Sequence, residues 1–407
     1  MNGGNRMNLP LEGIKVLDLT RILTGPFATM KLADMGADVI KVEQPGSGDD
    51  TRSYGPPFIE GHAAYFLSIN RNKRSITLNL KSEKGKEILR KLISWCDVMI
   101  ENFRPGTIER LGFSYDEVKK INPRVIYCSI SGFGQVGAMR DKPSYDLLVQ
   151  GESGLMDITG QSDGPPTKVG FSLADVNGGL AAVEGILLAL FQREKTGEGQ
   201  RIDISMLDAL LALFTYQTQI YLMTGKEPKR KGNLHPTITP YQTYQAKDGF
   251  FNMAIASEVQ WGRLLELFGE EFHAKEVEPL HTDAFATNAD RVVNREQLNE
   301  ILCPLFLQRT TDEWINLLDS KGLARGRINS VKQICDSQLL KDREMILSTV
   351  HPDVGEMKVV GNPVKMSGSK AGIRRPPPKL GEHTTEVLSS LGYKLDEIEG
   401  MVGTDVL

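Results

Sequence analysis

The chain has 407 residues, 40% of them apolar and 25% charged, and its 48 basic and 52 acidic residues leave a net charge of −4. At about 150 residues per domain, that length predicts two or three domains and a sizeable core. The near balance of charge gives no global reason to bind nucleic acid or an anionic membrane.

In chain order, residues 14–19 (IKVLDL) read as a short strand, and 26–35 as a helix with Pro26 in its first turn and Gly36 as its stop. Residues 38–42 read as the next strand, and 75–80 as another with period-two alternation. Residues 82–95 carry Ile88, Leu89, Leu92 and Ile93 on one helical face. A strand at 98–101 runs into Glu101-Asn102-Phe103, and Ser114 with Glu117 predicts a capping box before a short helix. Residues 124–130 (RVIYCSI) make a further strand. Strands alternating with helices predict a parallel, Rossmann-like sheet.

Residues 163–170 (DGPPTKVG) break that rhythm. The Ala-, Gly- and Leu-rich stretch 173–193 predicts a long helix buried on most sides, and 202–223 one or two core helices. Residues 226–233 (KEPKRKGN) read as a linker. Beyond it, 239–255 predicts antiparallel strands around Lys247-Asp248-Gly249, and 257–268 and 310–318 predict capped helices of a smaller α+β domain. The fold class is therefore α/β. The expected domains are 1–225, a large Rossmann-like domain with linking helices; 226–330, a small domain; and 331–407, a C-terminal segment with a final helix near 384–391.

Cys96, Cys128, Cys303 and Cys335 are scattered and read as reduced thiols. The first ten residues lack the apolar run of a secretory signal, and the most apolar segment, about 179–191, contains Glu184 and is too short to span a bilayer. A soluble cytoplasmic enzyme is the expectation. Gly132-Phe133-Gly134-Gln135-Val136-Gly137 spells a dinucleotide fingerprint, yet no helical periodicity follows it. The six histidines stand apart in sequence, no metal-type His or Cys pair occurs, and no Gly-x-Ser-x-Gly elbow is present. Asp175, in Gly170-Phe171-Ser172-Leu173-Ala174-Asp175-Val176-Asn177-Gly178-Gly179, lies where the long helix begins. An acid there is ordinarily a helix cap. The same place stabilises a carboxylate able to attack an activated acyl group, and Gly178 and Gly179 permit close approach of a backbone or ligand.

Several segments together resemble family III CoA-transferases. They are 9–20 with Gly25-Pro26; 36–43 (GADVIKVE); Asn72-Lys73-Arg74-Ser75-Ile76; Glu101-Asn102-Phe103-Arg104-Pro105-Gly106; Gly164-Pro165-Pro166; Thr196-Gly197-Glu198-Gly199-Gln200; and Pro376–Pro378 with 380–384 (LGEHT). The likeness runs from about Leu9 to His383. It implies a large Rossmann-like domain, a small domain, and a C-terminal segment rejoining the large one. It also implies an interlocked-ring dimer, as a homodimer or with a homologous chain. Asp175 falls at the family's catalytic aspartate. The resemblance implies CoA contacts from Arg21, Ile22, Thr24, Leu78, Lys81, Asn102, Phe103, Arg104 and Arg110, and substrate-side roles for Tyr145, Asp146 and His235. No permanently bound cofactor and no metal is expected; coenzyme A is a substrate.

The racemases of this family carry a His-Asp pair where Tyr145-Asp146 stands, and no histidine lies between His62 and His235, which favours transfer over racemisation. The segment 233–242 (NLHPTITPYQ) replaces the glycine run of formyl-CoA transferase and resembles members that use dicarboxylates. Succinyl-CoA is the expected donor, and a dicarboxylate such as malate or an aryl-succinate the expected acceptor. The alternatives are an acyl-CoA racemase, a nucleotide-binding oxidoreductase using the glycine loop, and an inactive structural partner subunit.

Overall fold

The computed structural model describes residues 9–407; residues 1–8, most of the stretch inspected for a secretory signal, lie outside the described residues. The chain forms two compact units. One contains residues up to 155, 169–225 and 338–407, and the other contains 156–168 and 226–337.

The first unit is built on six parallel strands: β1 (Lys15–Asp18), β2 (Asp38–Glu43), β5 (Lys73–Thr77), β6 (Val98–Glu101), β7 (Ile126–Ser131) and β8 (Gln200–Ser205). A two-residue hairpin, β3 (Phe58–Ile59) and β4 (His62–Ala63), intervenes. The helices in chain order are α1 (Thr24–Asp34), α2 (Ala64–Ile69), α3 (Glu83–Trp95), α4 (Thr107–Arg110), α5 (Tyr115–Ile121), α6 (Asp146–Glu152), α7 (Leu155–Ile158), of which only Leu155 belongs to this unit, α8 (Leu173–Thr196), α9 (Met206–Ala212) and α10 (Tyr216–Thr224). The sheet order β5-β2-β1-β6-β7-β8 runs outward in both directions from β1. It is the doubly wound order whose switch point lies between β1 and β6.

Strand residues alternate between two cores, as the pleat dictates. Leu17, Ile40, Ile76 and Met99 pack on α3 and α5, whereas Val16, Val39, Val98, Ile100, Ile126 and Ile130 pack on α1, α8 and α9. The C-terminal segment returns to the first of these faces. Asn79 N–H donates to Val406 O at 2.9 Å, His383 N–H to Ser75 O at 2.9 Å, and Val387, Leu388 and Tyr393 join the α3 core.

Three expectations are corrected here. Residues 202–223 do not form only core helices. Their start belongs to β8, whose alternating Gln-Arg-Ile-Asp-Ile-Ser carries the period of a strand, and α10 buries no residue. The apolar stretch near 179–191 is not too short to cross a bilayer: α8 runs 24 residues and passes that test by length and composition. Nor is α8 buried on most sides. One face packs through Ala174, Gly178, Gly179, Ala182, Ile186 and Ala189, while Leu188 and Phe191 are 62% and 63% exposed. The predicted strand at 75–80 begins two residues earlier, at Lys73. The predicted box at α5 is half made, because Ser114 accepts from Glu117 N–H while the Glu117 side chain pairs with Lys120.

The second unit contains an antiparallel sheet of β9 (Tyr241–Gln245), β10 (Phe250–Ala254) and β11 (Ala324–Arg327), with β10 central. Ala246 N–H donates to Gly249 O at 2.8 Å, closing the expected hairpin turn. Helices Glu258–Glu271 and Thr311–Ser320 start at Ser257 and Thr310, whose hydroxyls accept from the first-turn amides. The core is aromatic: Trp314 meets Phe306 at a centroid separation of 4.8 Å, and its indole N–H donates to Phe306 O at 2.7 Å.

In the first unit, the fit between α1 and α8 rests on glycine. A Cβ on Gly179 would stand 2.7 Å from the Thr24 carbonyl oxygen, and one on Gly178 would stand 3.2 Å from Thr24 Cγ2. Gly179→Ala should therefore force the helices apart and cost about 1–3 kcal/mol, read as a lowered denaturant midpoint. An unchanged midpoint would show that the contact yields freely.

Candidate active site

In open α/β sheets, ligands bind beyond the carboxyl ends of the strands, at the switch point. There the turn after β1 faces the turn after β6. Arg21 N–H donates to Asn102 Oδ1 at 2.9 Å, and Asn102 Nδ2 donates back to Arg21 O at 2.8 Å. The turn is held from below as well. Lys41 Nζ lies 2.8 Å from Asp49 Oδ2 with both side chains fully buried, and it also donates to Thr20 O at 2.8 Å. Asp49 Oδ1 accepts from Ile22 N–H at 3.2 Å. Ile22 has φ of +70°, a conformation that a β-branched residue adopts only under constraint. Burial works against the charge on Lys41, but Asp49, Asp18 and Glu43 outweigh it and hold its pKa above the usual lysine value.

Two adjoining cavities open along these strand ends. The first, about 460 Å³, is lined by Arg21, Lys41, Asp49, Leu78, Lys81 and Phe103, among others. The second, about 260 Å³, is lined by Arg21, Ile22, Thr24, Asn102, Phe103, Arg104, Arg140, Lys142, Tyr145 and Asp175, among others. Arg21 and Phe103 border both. Four cations line the second cavity, and Asp175 is its one acid. That arrangement attracts an anionic ligand towards a lone carboxylate.

Asp175 stands in the first turn of α8. It does not cap the helix. Asp146 does that work: its Oδ1 accepts from Ala174 N–H at 2.8 Å and its Oδ2 from Gln150 Nε2 at 2.7 Å. Asp175 is left to face the cavity, where its Oδ1 accepts a short bond from the Thr24 hydroxyl at the opening of α1. Burial is the main influence on its pKa and pushes it up to about 6; Thr24 opposes the rise and Asp146 adds to it. The group is thus ionised at neutral pH yet far more basic than an ordinary aspartate.

The nine expected CoA contacts divide. Arg21, Ile22, Thr24, Leu78, Lys81, Asn102, Phe103 and Arg104 line the cavities; Arg110 does not, and its guanidinium donates to Thr107 Oγ1 at 3.0 Å. Tyr145 is 61% exposed beside Asp175 in the second cavity. Asp146 is buried beneath it with both oxygens engaged, which suits positioning rather than substrate contact. His235 belongs to the second unit, beside Tyr241 at a ring separation of 4.9 Å. The glycine loop 132–137 opens no helix; α6 starts only at Asp146. Sequence reasoning missed Arg140 and Lys142, for which charge alone was the signal. It also missed the loop from Gln44 to Asp50.

Two histidines that stand far apart in sequence are not isolated. His62 and His351 rings meet at 4.8 Å, and His62 Nε2 lies 3.0 Å from Asp353 Oδ2. Ligand atoms of the three lie within 4.8 Å of one another. However, His351 Nδ1 accepts from the N–H groups of Asp353 and Val354 at 3.2 and 3.3 Å. The Nδ1 lone pair of His351 is thus taken up by the main chain, and its Nε2 has no hydrogen-bond partner among the described residues.

Comparison with known proteins agrees with this geometry. The model of the family described as "CoA-transferase family III" matches residues 11–384. The chain is 40% identical over 399 residues to succinyl-CoA:glutarate CoA-transferase of Mus musculus, covering 98% of this chain and 90% of that protein. It is 41% identical over 376 residues to acetyl-CoA:oxalate CoA-transferase of Acetobacter aceti, covering 92% of this chain and 93% of that one. Among solved structures, a CAIB/BAIF family protein from Brucella suis matches with a TM-score of 0.82 and 41% identity, covering 94% of this chain and 100% of that chain.

A carboxyl whose pKa is higher folded than unfolded binds more protons in the native state across the interval between the two values. Its contribution to stability falls as pH rises through that interval, from the ordinary 3.8 to about 6. Asp175→Asn should therefore raise the stability at pH 7.5 by on the order of 1 kcal/mol after allowance for partial exposure, read as a higher melting temperature. It should change little at pH 4. Equal shifts at both pH values would count against a penalty carried by the charge.

Proposed function

This chain belongs to CoA-transferase family III, and from that premise we propose that it carries CoA from succinyl-CoA to a dicarboxylate acceptor through covalent intermediates on Asp175. The observation that carries the reading is the lone, partly buried carboxylate in a cation-lined cavity at the switch point. The two named relatives act on glutarate and oxalate. These acids differ in length and share a second carboxylate, which supports an acceptor of that class.

In the proposed sequence, Asp175 Oδ2 attacks the thioester carbonyl while Thr24 holds Oδ1. The C–S bond breaks, CoA leaves as thiolate, and a mixed anhydride forms. The thiolate attacks the aspartyl carbonyl, releasing succinate and leaving an aspartyl-CoA thioester. The acceptor carboxylate attacks that thioester, expelling thiolate and giving a second anhydride. Thiolate attack on the acceptor carbonyl then yields the new acyl-CoA and free Asp175. Covalent catalysis divides one difficult exchange into steps of similar energy. The first-turn N–H groups of α1 have no intrahelical partners, and they are available beside Thr24 to receive oxyanion charge. Arg21, Arg104, Arg140 and Lys142 provide the cations suited to diphosphate. No histidine lines either cavity, so neither lining supplies an imidazole base for racemisation.

We further propose that the protein works in the cytoplasm as an assembly of two copies. The exposed Leu180, Leu187, Leu188 and Phe191 on one helix form an apolar stripe of the kind a second copy covers. Light scattering should give about twice the chain mass, and a monomer at micromolar concentration would refute the assembly.

Incubation with succinyl-CoA followed by hydroxylamine should leave a hydroxamate at Asp175, detected by peptide mass spectrometry, and Asp175→Ala should abolish exchange. A fully active Asp175→Ala variant would end the mechanism. With the wild type, kcat should climb as pH rises through about 6, since the ionised group attacks. Thr24→Val removes the bond that favours the ionised form, and should move that midpoint up by about one unit. An unmoved midpoint would separate Thr24 from the nucleophile. In an acceptor panel, glutarate and its neighbours should outpace monocarboxylates of equal length.

A further inference from the structure

Beneath the wall shared by both cavities lies an acid that the proposed chemistry does not use. Glu101 closes β6, is 2% exposed, and turns back so that its Oε2 accepts from Phe103 N–H at 2.9 Å. Phe103 borders both cavities, and the intervening residue, Asn102, forms the clamp to Arg21. Three other buried acids at this end of the sheet have a cation: Asp18 with Lys73 at 3.3 Å, Asp49 with Lys41 at 2.8 Å, and Glu43 with Arg52 at 2.7 Å. Glu101 has no ion pair among the described residues. Around it stand Ser129, Tyr127 and Cys128 on β7, Arg201 on β8 and Glu109 on α4. Arg201 is the one cation in that set and acts on it weakly, while Glu109 repels.

We propose that Glu101 is a positioning residue for CoA: it fixes the Phe103 main chain that walls both cavities, and it does so as the uncharged acid when CoA is bound. A buried carboxylate without a counterion is costly, and a bound diphosphate nearby raises that cost. The neutral acid keeps the acceptor oxygen for Phe103 N–H, and the Ser129 hydroxyl can rotate to accept the acid proton. Burial pushes the pKa of the free protein up to about 7. CoA binding should then draw a proton onto Glu101, and affinity should fall as pH rises through that value. The inference rests on the CoA-transferase reading of the site.

The test is calorimetry with dephospho-CoA, whose diphosphate does not titrate near neutrality. It is run in the Asp175→Asn background so that the nucleophile drops out, and in two buffers of different ionisation enthalpy. The parent should take up protons on binding near pH 7.5, and its Kd should rise by roughly 5- to 10-fold between pH 6 and pH 8.5. Glu101→Gln should match the parent's affinity at pH 6, take up no proton, and hold that affinity to pH 8.5. A Glu101→Gln protein with the parent's pH slope would overturn the proposal, as would one that is folded but tenfold weaker at pH 6. Ser129→Ala removes a hydroxyl that supports the charged form, so the loss of affinity should shift to higher pH. An unmoved profile would overturn the proposal even if Glu101→Gln failed to fold. Absence of dephospho-CoA binding at every pH would instead refute the site's assignment to CoA.

Discussion

The buried ion pair between Lys41 and Asp49 is what the switch point is built upon. Each partner spends a second contact on the turn above it, Lys41 on Thr20 O and Asp49 on Ile22 N–H. A charge pair taken wholly out of water is weak evidence of stability in itself. Its value here is geometric. It keeps Ile22 in a left-handed conformation that the chain would otherwise abandon, and so delivers Thr24 to the start of α1. With the turn in place, Asn102 can clamp Arg21, and both cavities acquire their common wall.

Acids near this crevice fall into two kinds. Asp18, Glu43 and Asp49 are neutralised by lysine or arginine, and their pKa values are held below the ordinary carboxylate range despite burial. Asp175 has only a hydroxyl for support, and Asp146 nearby repels it. Withholding a cation from Asp175, as from Glu101, raises its basicity, and at Asp175 it keeps the carboxylate free to form a bond. The cations are set around the cavity instead, where they can meet a ligand's charge.

Much of the fold could be read from pattern. The strands that alternate or run apolar, the amphipathic face of α3 and the caps at Ser257 and Thr310 all announce themselves within a few residues. Errors arose where a local signal had two readings. Residues 202–205 alternate, but they merge with an apolar run that looks helical, and the composition of α8 does not reveal which of its faces has a partner. The candidate site was legible chiefly through resemblance. Asp175 by itself reads as a cap, and only the structure shows that Asp146, 29 positions away, has taken that task. The meeting of His62 with His351 belongs to tertiary contact, beyond the reach of any periodicity.

The glycine-faced seam between α1 and α8 carries one more implication. The Thr24 hydroxyl and the Asp175 carboxylate come from opposite sides of that seam, so the distance between the two helix axes sets their bond. A fluctuation that opened the seam slightly, with the sheet and both cores intact, would let water reach the carboxylate and return it to the acidity of a free side chain. Inactivation on warming would then begin as a local parting of two helices, while spectroscopic probes of the whole molecule still reported a folded protein.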